Sequence, residues 1–226
     1  LNTALKIKAG DRLGFRGLKN GCRTYIAFAG GLDVREVMGS RSTYTRARTG
    51  GMEGRALVTG DEIRLVDTEV KNRLVSVKIP QEMLPQYPAH QSIRITTGPE
   101  APRFEFEGIR NFLTTEYRIT DHSDRMGYRL SGKIIRHKED RADIVSAGIA
   151  PGTVQVPGDG QPIILMADRQ TSGGYARLAN VIRTDISLVA QMKPGDYIRF
   201  RQVSLDEAQN LFRERQRILR SLTRHH

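Results

Sequence analysis

The 226-residue chain has no tryptophan and one cysteine, Cys22. A single cysteine excludes an intramolecular disulfide framework and fits a reducing compartment, so a cytoplasmic location is expected. Set in CRTYIAFA, Cys22 reads as a small core residue rather than a nucleophile. No uninterrupted apolar run approaches the roughly 20 residues of a membrane helix, so no membrane span is predicted. The chain also lacks a GxSxG elbow, an HExxH helix and a CxxC pair. No metal site is therefore expected, and three familiar routes to catalysis are excluded.

Acidic residues are outnumbered, 25 against 36 lysines and arginines, for a net charge of +11. A non-specific nucleic-acid binder gathers its cations on one surface, among aromatic stacking platforms. Here the arginines are dispersed and no zinc-finger spacing or RNP-like aromatic pair occurs, so nucleic acid is not an expected partner. The densest basic segment, RERQRILRSLTRHH at the C-terminus, reads as part of a helix starting near Leu205. Ser204 and Glu207 have capping-box spacing, and Leu205, Ala208, Leu211, Phe212, Ile218, Leu219 and Leu222 recur at near-helical intervals. One face of that helix packs and the other is solvated, which accounts for the charge. The terminal His225 and His226 receive no role. The sequence opens on Leu1, and TALKIKAGDRL already reads as strand and turn, so a fragment is expected.

Glycine is abundant, at 22 residues, in a composition 38% hydrophobic and 27% charged, as in soluble, turn-rich globular proteins. A pattern G-D-x-[IL]-x-[FL] occurs three times, at Gly10-Asp11, Gly60-Asp61 and Gly195-Asp196. Each reads as a turn feeding an alternating strand. With candidate strands Arg23 to Ala29, Ser92 to Thr96 and Thr153 to Val156, these turns predict a mainly β, mostly antiparallel architecture. Helices are few and short: Asp185 is a candidate cap for Ile186 to Gln191, and Thr114 to Ile119 is ambiguous. Between Glu69 and Gln91 three prolines interrupt the periodicity and mark a domain boundary.

Residues 148–177 hold six glycines around the apolar strand Ile163 to Ala167. Pro162 precedes that strand and Asp168, Arg169 and Gln170 follow it. Dense glycine accompanies positive φ or close approach to a ligand, so the segment reads equally as a site or as a hairpin with ordinary turns. A second small, polar stretch contains Ser40, Arg41, Ser42 and Thr43, whose hydroxyls and guanidinium suit a carboxylate or phosphate, or cap their own turns. Gly127 to Ile134 comes within one residue of a P-loop, but Ile134 has no hydroxyl for magnesium and the flanks read as strands, so a hairpin turn is expected. Ser123 to Gly127 suggests a local Asp124–Arg125 ion pair. His90, His122 and His137 read as surface histidines.

The motifs GGLDVREVMGSRSTYTRARTGGMEGRAL, SDRMGYRL, GTVQVPGDGQPIILMADRQTSGGYARLANV and LVAQMKPGD, in this order, resemble the KipA family. This family is also called the 5-oxoprolinase C subunit, or the biotin-dependent carboxyltransferase-like family related to the second subunit of allophanate hydrolase. The resemblance runs from about residue 9 to about residue 210. Members normally carry a further N-terminal segment, so it places part of any active site outside this chain. It implies a cyclophilin-like β-barrel with short helices and a C-terminal helix. The domains expected are the end of a first β subdomain over 1–70, a linker over 71–90 and the barrel with its helix over 91–226.

The resemblance implies a heteromeric complex with two companions, a KipI-like B subunit and an A subunit, which together with this chain open 5-oxoproline to glutamate at the expense of ATP. The chain alone is then expected to be inactive. Two other roles belong to the same resemblance: an antagonist of the kinase inhibitor KipI, and a carboxyltransferase component in urea or allophanate metabolism. Only the last would involve biotin, carried on another chain or domain. Opening a lactam needs cationic and hydrogen-bond donors preorganised around its oxygen. Arg41 and Arg169 are the candidate donors, and Gln155, Gln161 and Gln170 can bind an amide edge through donor and acceptor together. Asp168 is a candidate to orient Arg169, cap a turn or act as base. The expected site has the strand after Gly158, Asp159 and Gln161 as one wall, completed by Tyr175 and the Ser40-Arg41-Ser42 loop.

Overall fold

Along His90–Thr97, HQSIRITT, apolar and polar side chains alternate, and the fold buries Ile93 and Ile95 from one face. A computed structural model describes residues 3–18, 21–66, 79 and 84–224 of the chain. They fall into two units, Leu1–Asp11 with Thr24–Lys78 and Arg12–Arg23 with Ile79–His226. Most of the stretch expected to be a linker, 71–90, lies outside the described residues.

The second unit carries nine strands among the described residues: β1 His90–Thr97, β2 Glu116–Ile119, β3 Gly127–Ser131, β4 Asp143–Gly148, β5 Thr153–Gln155, β6 Ile163–Leu165, β7 Ser172–Tyr175, β8 Arg177–Val181 and β9 Tyr197–Gln202. Seven close a barrel in the order β1-β8-β5-β6-β3-β2-β9, while β4 and β7 form a separate two-stranded sheet. Every barrel pairing is antiparallel except the closing one, where β1 and β9 run parallel from His90↔Tyr197 to Ile95↔Gln202. The expected mainly β barrel is therefore found.

Two helices pack near the barrel, α1 Phe106–Thr114 and α2 Ile186–Val189, and a third, α3 Leu205–Arg224, follows β9. Phe112 of α1 stacks on Phe200 of β9 with ring centroids 4.2 Å apart, and both are buried with Tyr117 and Phe104. Each such side chain contributes about 1.5–3 kcal/mol through burial. Gly98 lets β1 end against β8: a Cβ there would lie 2.3 Å from the Arg177 carbonyl oxygen.

Several local expectations need correction. Helix α1 was not legible, and Glu116–Ile119 is strand. Asp185 precedes α2 but makes no side-chain cap. It is buried, and its carboxylate instead accepts hydrogen bonds from Arg94 N (2.9 Å), Nε (2.9 Å) and Nη2 (2.5 Å). Buried ions need such partners, and the acid draws the arginine in. At α3 the cap is half a box: Ser204 Oγ accepts from Glu207 N at 3.1 Å, whereas the Glu207 carboxylate meets Arg201 at 3.2 Å. His137 is not on the surface. It lies buried with its ring 4.6 Å from Phe104 and its Nε2 3.0 Å from the Val156 carbonyl oxygen.

The repeated G-D pattern proves to be one turn used three times. Gly10, Gly60 and Gly195 have φ of 89°, 95° and 94°, as the third position of a type II turn demands. In each, the aspartate N–H donates to the carbonyl three residues back, and its Oδ2 accepts that same residue's N–H: Lys8 at 2.7 Å, Val58 at 2.8 Å and Lys193 at 3.0 Å. Only the third feeds a strand, β9. The first unit, in its described residues, has one 3-10 turn, Thr45–Ala47, and isolated bridges such as Leu32↔Leu65 and Arg35↔Gly51. The strand expected at Arg23 to Ala29 is absent from the ladders, and Tyr25 there is 83% exposed.

Candidate functional site

The glycine-rich segment runs through β5, β6, β7 and β8, and its two ends do different work. Before β6, the turn closes by Gly160 N donating to Pro157 O at 3.0 Å. Asp159 Oδ1 accepts from Gln161 N at 3.0 Å. The Gln161 amide then brackets Gly132, accepting from its N–H at 2.9 Å and donating to its carbonyl at 3.1 Å. Asp159 and Gln161 thus hold this turn onto the end of β3, and Gly158 sits exposed at its tip. The stretch Gly127–Ser131 is strand, not a hairpin turn, and its amides belong to ladders with β2 and β6.

Beyond β6 the chain gathers polar groups. Arg169, half-buried, directs Nε to the Ile149 carbonyl oxygen at 3.2 Å and Nη1 to that of Met166 at 3.4 Å. Ile149 N in turn donates to Thr171 O at 2.9 Å. Buried Gln155 reaches across from β5 and donates Nε2 to the Tyr175 carbonyl oxygen at 3.1 Å. Gly173 of β7 makes this convergence possible. A Cβ there would lie 2.5 Å from Ile149 Cδ1, 3.2 Å from Gln155 Nε2 and 3.5 Å from Gln170 Nε2. The structure therefore brings Gln155, Arg169, Gln170, Gly173 and Tyr175 together on one shelf, with Gln170 exposed and Tyr175 half-open to solvent.

The partner that the structure shows for the Asp168 carboxylate is Arg125, Nε to Oδ2 at 2.8 Å and Nη2 to Oδ1 at 2.9 Å, and the Asp168 N–H donates to the Arg125 carbonyl. The two-point geometry fixes the plane of the Arg125 guanidinium, of which 59% of the side chain faces solvent. Beside it, Asp124 Oδ1 accepts from Met126 N at 2.8 Å and Gly127 N at 3.2 Å. Sequence reasoning missed Arg125 as a site residue. Its signals were the SDRMGYRL motif that contains it and an acid placed just after an apolar strand 43 residues away.

Before β6, Gln161 is engaged in holding its own turn onto Gly132, whereas the shelf after β6 presents the donors. Arg41, Ser40 and Ser42 lie in the first unit, where Arg41 Nη1 donates to the Leu32 carbonyl at 3.2 Å and Ser42 N to Ser40 Oγ at 3.2 Å. The Ser40 hydroxyl and one Arg41 donor thus bond within their own unit.

The electrostatics are strongest beside the shelf rather than on it. Arg177, next in sequence after Ala176, clasps Glu100 through Nε at 2.6 Å and Nη2 at 2.5 Å and also donates to the Gly148 carbonyl at 2.8 Å. This pairing holds the Glu100 carboxyl below the ordinary range for a glutamate. Arg23 Nη1 approaches Cys22 Sγ at 3.2 Å and Tyr128 Oη at 2.5 Å. Burial pushes the Tyr128 hydroxyl up, against the opposing pull of Arg23. Concave surface is found elsewhere: a cleft of about 670 Å³ lies beside α3, and another of about 650 Å³ lies within the first unit, around Arg48 to Gly54.

Residues 1–202 match the family described as carboxyltransferase domain, subdomain A and B. Among curated proteins, the chain is 40% identical over 218 residues to the 5-oxoprolinase C subunit of Escherichia coli, covering 96% of this chain and 68% of that protein. It is 32% identical over 235 residues to urea amidolyase of Saccharomyces cerevisiae, covering 96% of this chain and 13% of that one. Among solved structures, the Kluyveromyces lactis urea carboxylase superposes with a TM-score of 0.82 at 27% identity, over 91% of this chain and 20% of that one.

Proposed function

The chain belongs to the carboxyltransferase domain family, subdomain A and B, and from that premise we propose that it acts as the C subunit of an ATP-dependent 5-oxoprolinase in the cytoplasm. One observation carries this reading: identity to a 5-oxoprolinase C subunit is higher than to urea amidolyase, and it extends over most of the relative's length rather than a small part. The likeness to urea amidolyase and urea carboxylase is accounted for by the shared carboxyltransferase domain family.

In this reading the overall reaction takes 5-oxoproline, ATP and two waters to glutamate, ADP and phosphate, in a complex with the A and B subunits. ATP supplies the driving force. A P-loop cradle holds phosphate with free backbone amides at the start of a helix. The nearest candidate, Gly127–Ser131, has its amides in the barrel, so the nucleotide is assigned to the companion chains. Biotin has no place in this reading.

The part given to this chain is to hold the lactam. Arg169, tied to two carbonyls after β6, aims a fixed positive charge at the shelf, where it stabilises negative charge growing on the lactam oxygen. Gln170 presents an exposed amide that can accept from the lactam N–H while donating to its carbonyl. Gln155, buried beneath, keeps the Tyr175 backbone in place. Arg125 offers a second cation, oriented by Asp168. An open shelf suits a site whose remaining wall comes from a companion chain.

The test is Arg169→Ala in the full-length protein within its complex. Loss of one preorganised donor is expected to lower turnover at least about tenfold, or roughly 1.4 kcal/mol, with the melting temperature near wild type. Unchanged turnover, or a loss that tracks unfolding, would leave Arg169 as a tie between loops and remove it from the site.

A further inference from the structure

Helix α3 lies beyond residue 202, where the family match ends, and is held to the barrel by its middle. The Arg183 guanidinium sits 5.0 Å over the Phe212 ring, and Arg215 Nη1 donates to the Thr184 carbonyl at 2.7 Å and meets Ser187 Oγ at 3.2 Å. Around this attachment the helix and the barrel do not fully close on each other. They leave the cleft of about 670 Å³, whose barrel wall is apolar, from Pro151, Val181, Ile186 and Ala190, and whose helix wall runs from Phe212 to Leu219. Phe212, Arg215, Gln216 and Leu219 have the spacing of a single helical stripe. Leu219 lines the cleft and is still 46% exposed, and neighbouring Ile218 is 44% exposed.

The charged residues lining this cleft, Arg183 and Arg215, are both cationic, and residues 213–221 of the helix contain four arginines against one glutamate. From the geometry we infer that the cleft is a docking groove for an acidic amphipathic helix of another polypeptide. The wall from Phe212 to Leu219 is eight residues with a rise of about 10 Å, which accommodates about two turns of a partner helix. Its apolar anchors at i, i+3 or i+4 and i+7 cover the floor, and its carboxylates meet the arginine rim.

An arginine-rich amphipathic helix is also the sequence signature of a membrane-surface element. The concavity decides between the two. A lipid surface is broad and cannot enter a groove walled on one side by the barrel, whereas a helix fills it.

The probe is a fluorescein-labelled 15-residue synthetic helix with leucine at i, i+3, i+4 and i+7 and glutamate on the opposite face, added to the chain and followed by anisotropy. Binding is expected in the micromolar range, weakening as salt is raised from 50 to 300 mM, and absent for the same peptide with lysine in place of glutamate. Leu219→Glu puts a like charge on the floor at a half-exposed position and is expected to weaken binding at least tenfold with the melting temperature unchanged. Arg213→Glu, on the outer flank, is expected to weaken it less and mainly at low salt. Absence of binding, equal binding of the lysine peptide, or indifference to Leu219→Glu overturns the inference. So does co-sedimentation of the chain with vesicles of 30% phosphatidylserine in phosphatidylcholine that the glutamate peptide does not compete away.

Discussion

The turns at Gly60 and Gly195 are the same to within a degree in φ and share the same aspartate bracket, yet the regions that hold them differ in kind. Around Gly195 the chain enters a barrel whose buried side chains include Ile198 and Phe200. Around Gly60 it enters bridges and loops, with Leu57 and Val58 more than half exposed. Local turn chemistry is therefore sufficient to make a turn and insufficient to make a strand. What the second region adds is a partner edge and a face to bury, and these supply the stability that a ladder needs.

The largest effect that can break this contrast comes from the core itself. Phe200→Ala removes the ring stacked on Phe112 and is expected to destabilise the second unit by about 3–5 kcal/mol, read as a fall in the urea midpoint. Hydrogen exchange in residues 24–66 should stay as it was. Equal loss of protection there would mean that both regions share one cooperative unit.

Next in size is a difference in pH response. Burial raises the Tyr117 hydroxyl to about 12, and its hydroxyl donates to the Lys133 carbonyl at 2.8 Å. A raised folded value gives stability that is complete below the unfolded value near 10 and is lost as pH climbs from there toward 12, about 3 kcal/mol over two pH units. The barrel should thus weaken in alkali, and Tyr117→Phe should remove most of that slope in a melting series from pH 9 to 12. Asp61 in the first unit behaves oppositely. Arg55 holds its carboxylate down to about 2, so that turn is intact above pH 4 and loosens as pH falls toward 2. Exchange at Val58 N–H, which Asp61 accepts, reports it.

The smallest and sharpest effect compares the two glycines directly. A methyl group at Gly60 meets nothing within 4 Å, and at Gly195 only the tip of Arg118 at 4.0 Å, so each Gly→Ala change is opposed by φ alone, at about 1–2 kcal/mol. Gly195→Ala should lower the barrel's melting temperature, whereas Gly60→Ala should leave it unmoved. Equal shifts would show that the first unit's turn is coupled to the barrel.

Legibility follows the same divide. The G-D turns, the Ser204 cap and the barrel strands Ser92 to Thr96 and Thr153 to Val156 depend on neighbours in sequence or on simple alternation, and they could be read. Helix α1 could not, because Gly108 interrupts FEGIRNFLT and is there to let the helix approach Arg136, whose N a Cβ would meet at 3.1 Å. The burial of His137 depends on Val156, and the partner of Asp185 is 91 residues away. In the candidate site, Gln155, Arg169, Gln170 and Tyr175 were legible because one segment carries them all. Arg125 was not, since only the fold sets it against Asp168.

The parallel seam between β1 and β9 has a temporal consequence. Its partners are about a hundred residues apart in sequence, so the barrel stays an open sheet until the last strand arrives. Pairings of such long range slow folding, because a large loop must close before any contact compensates for its lost freedom. During that interval the edges of β1 and β2 present unpaired backbone. The chain is then most exposed to mispairing with its neighbours during its own synthesis, and conditions that slow the making of Tyr197–Gln202 should raise the aggregated fraction without altering the finished protein.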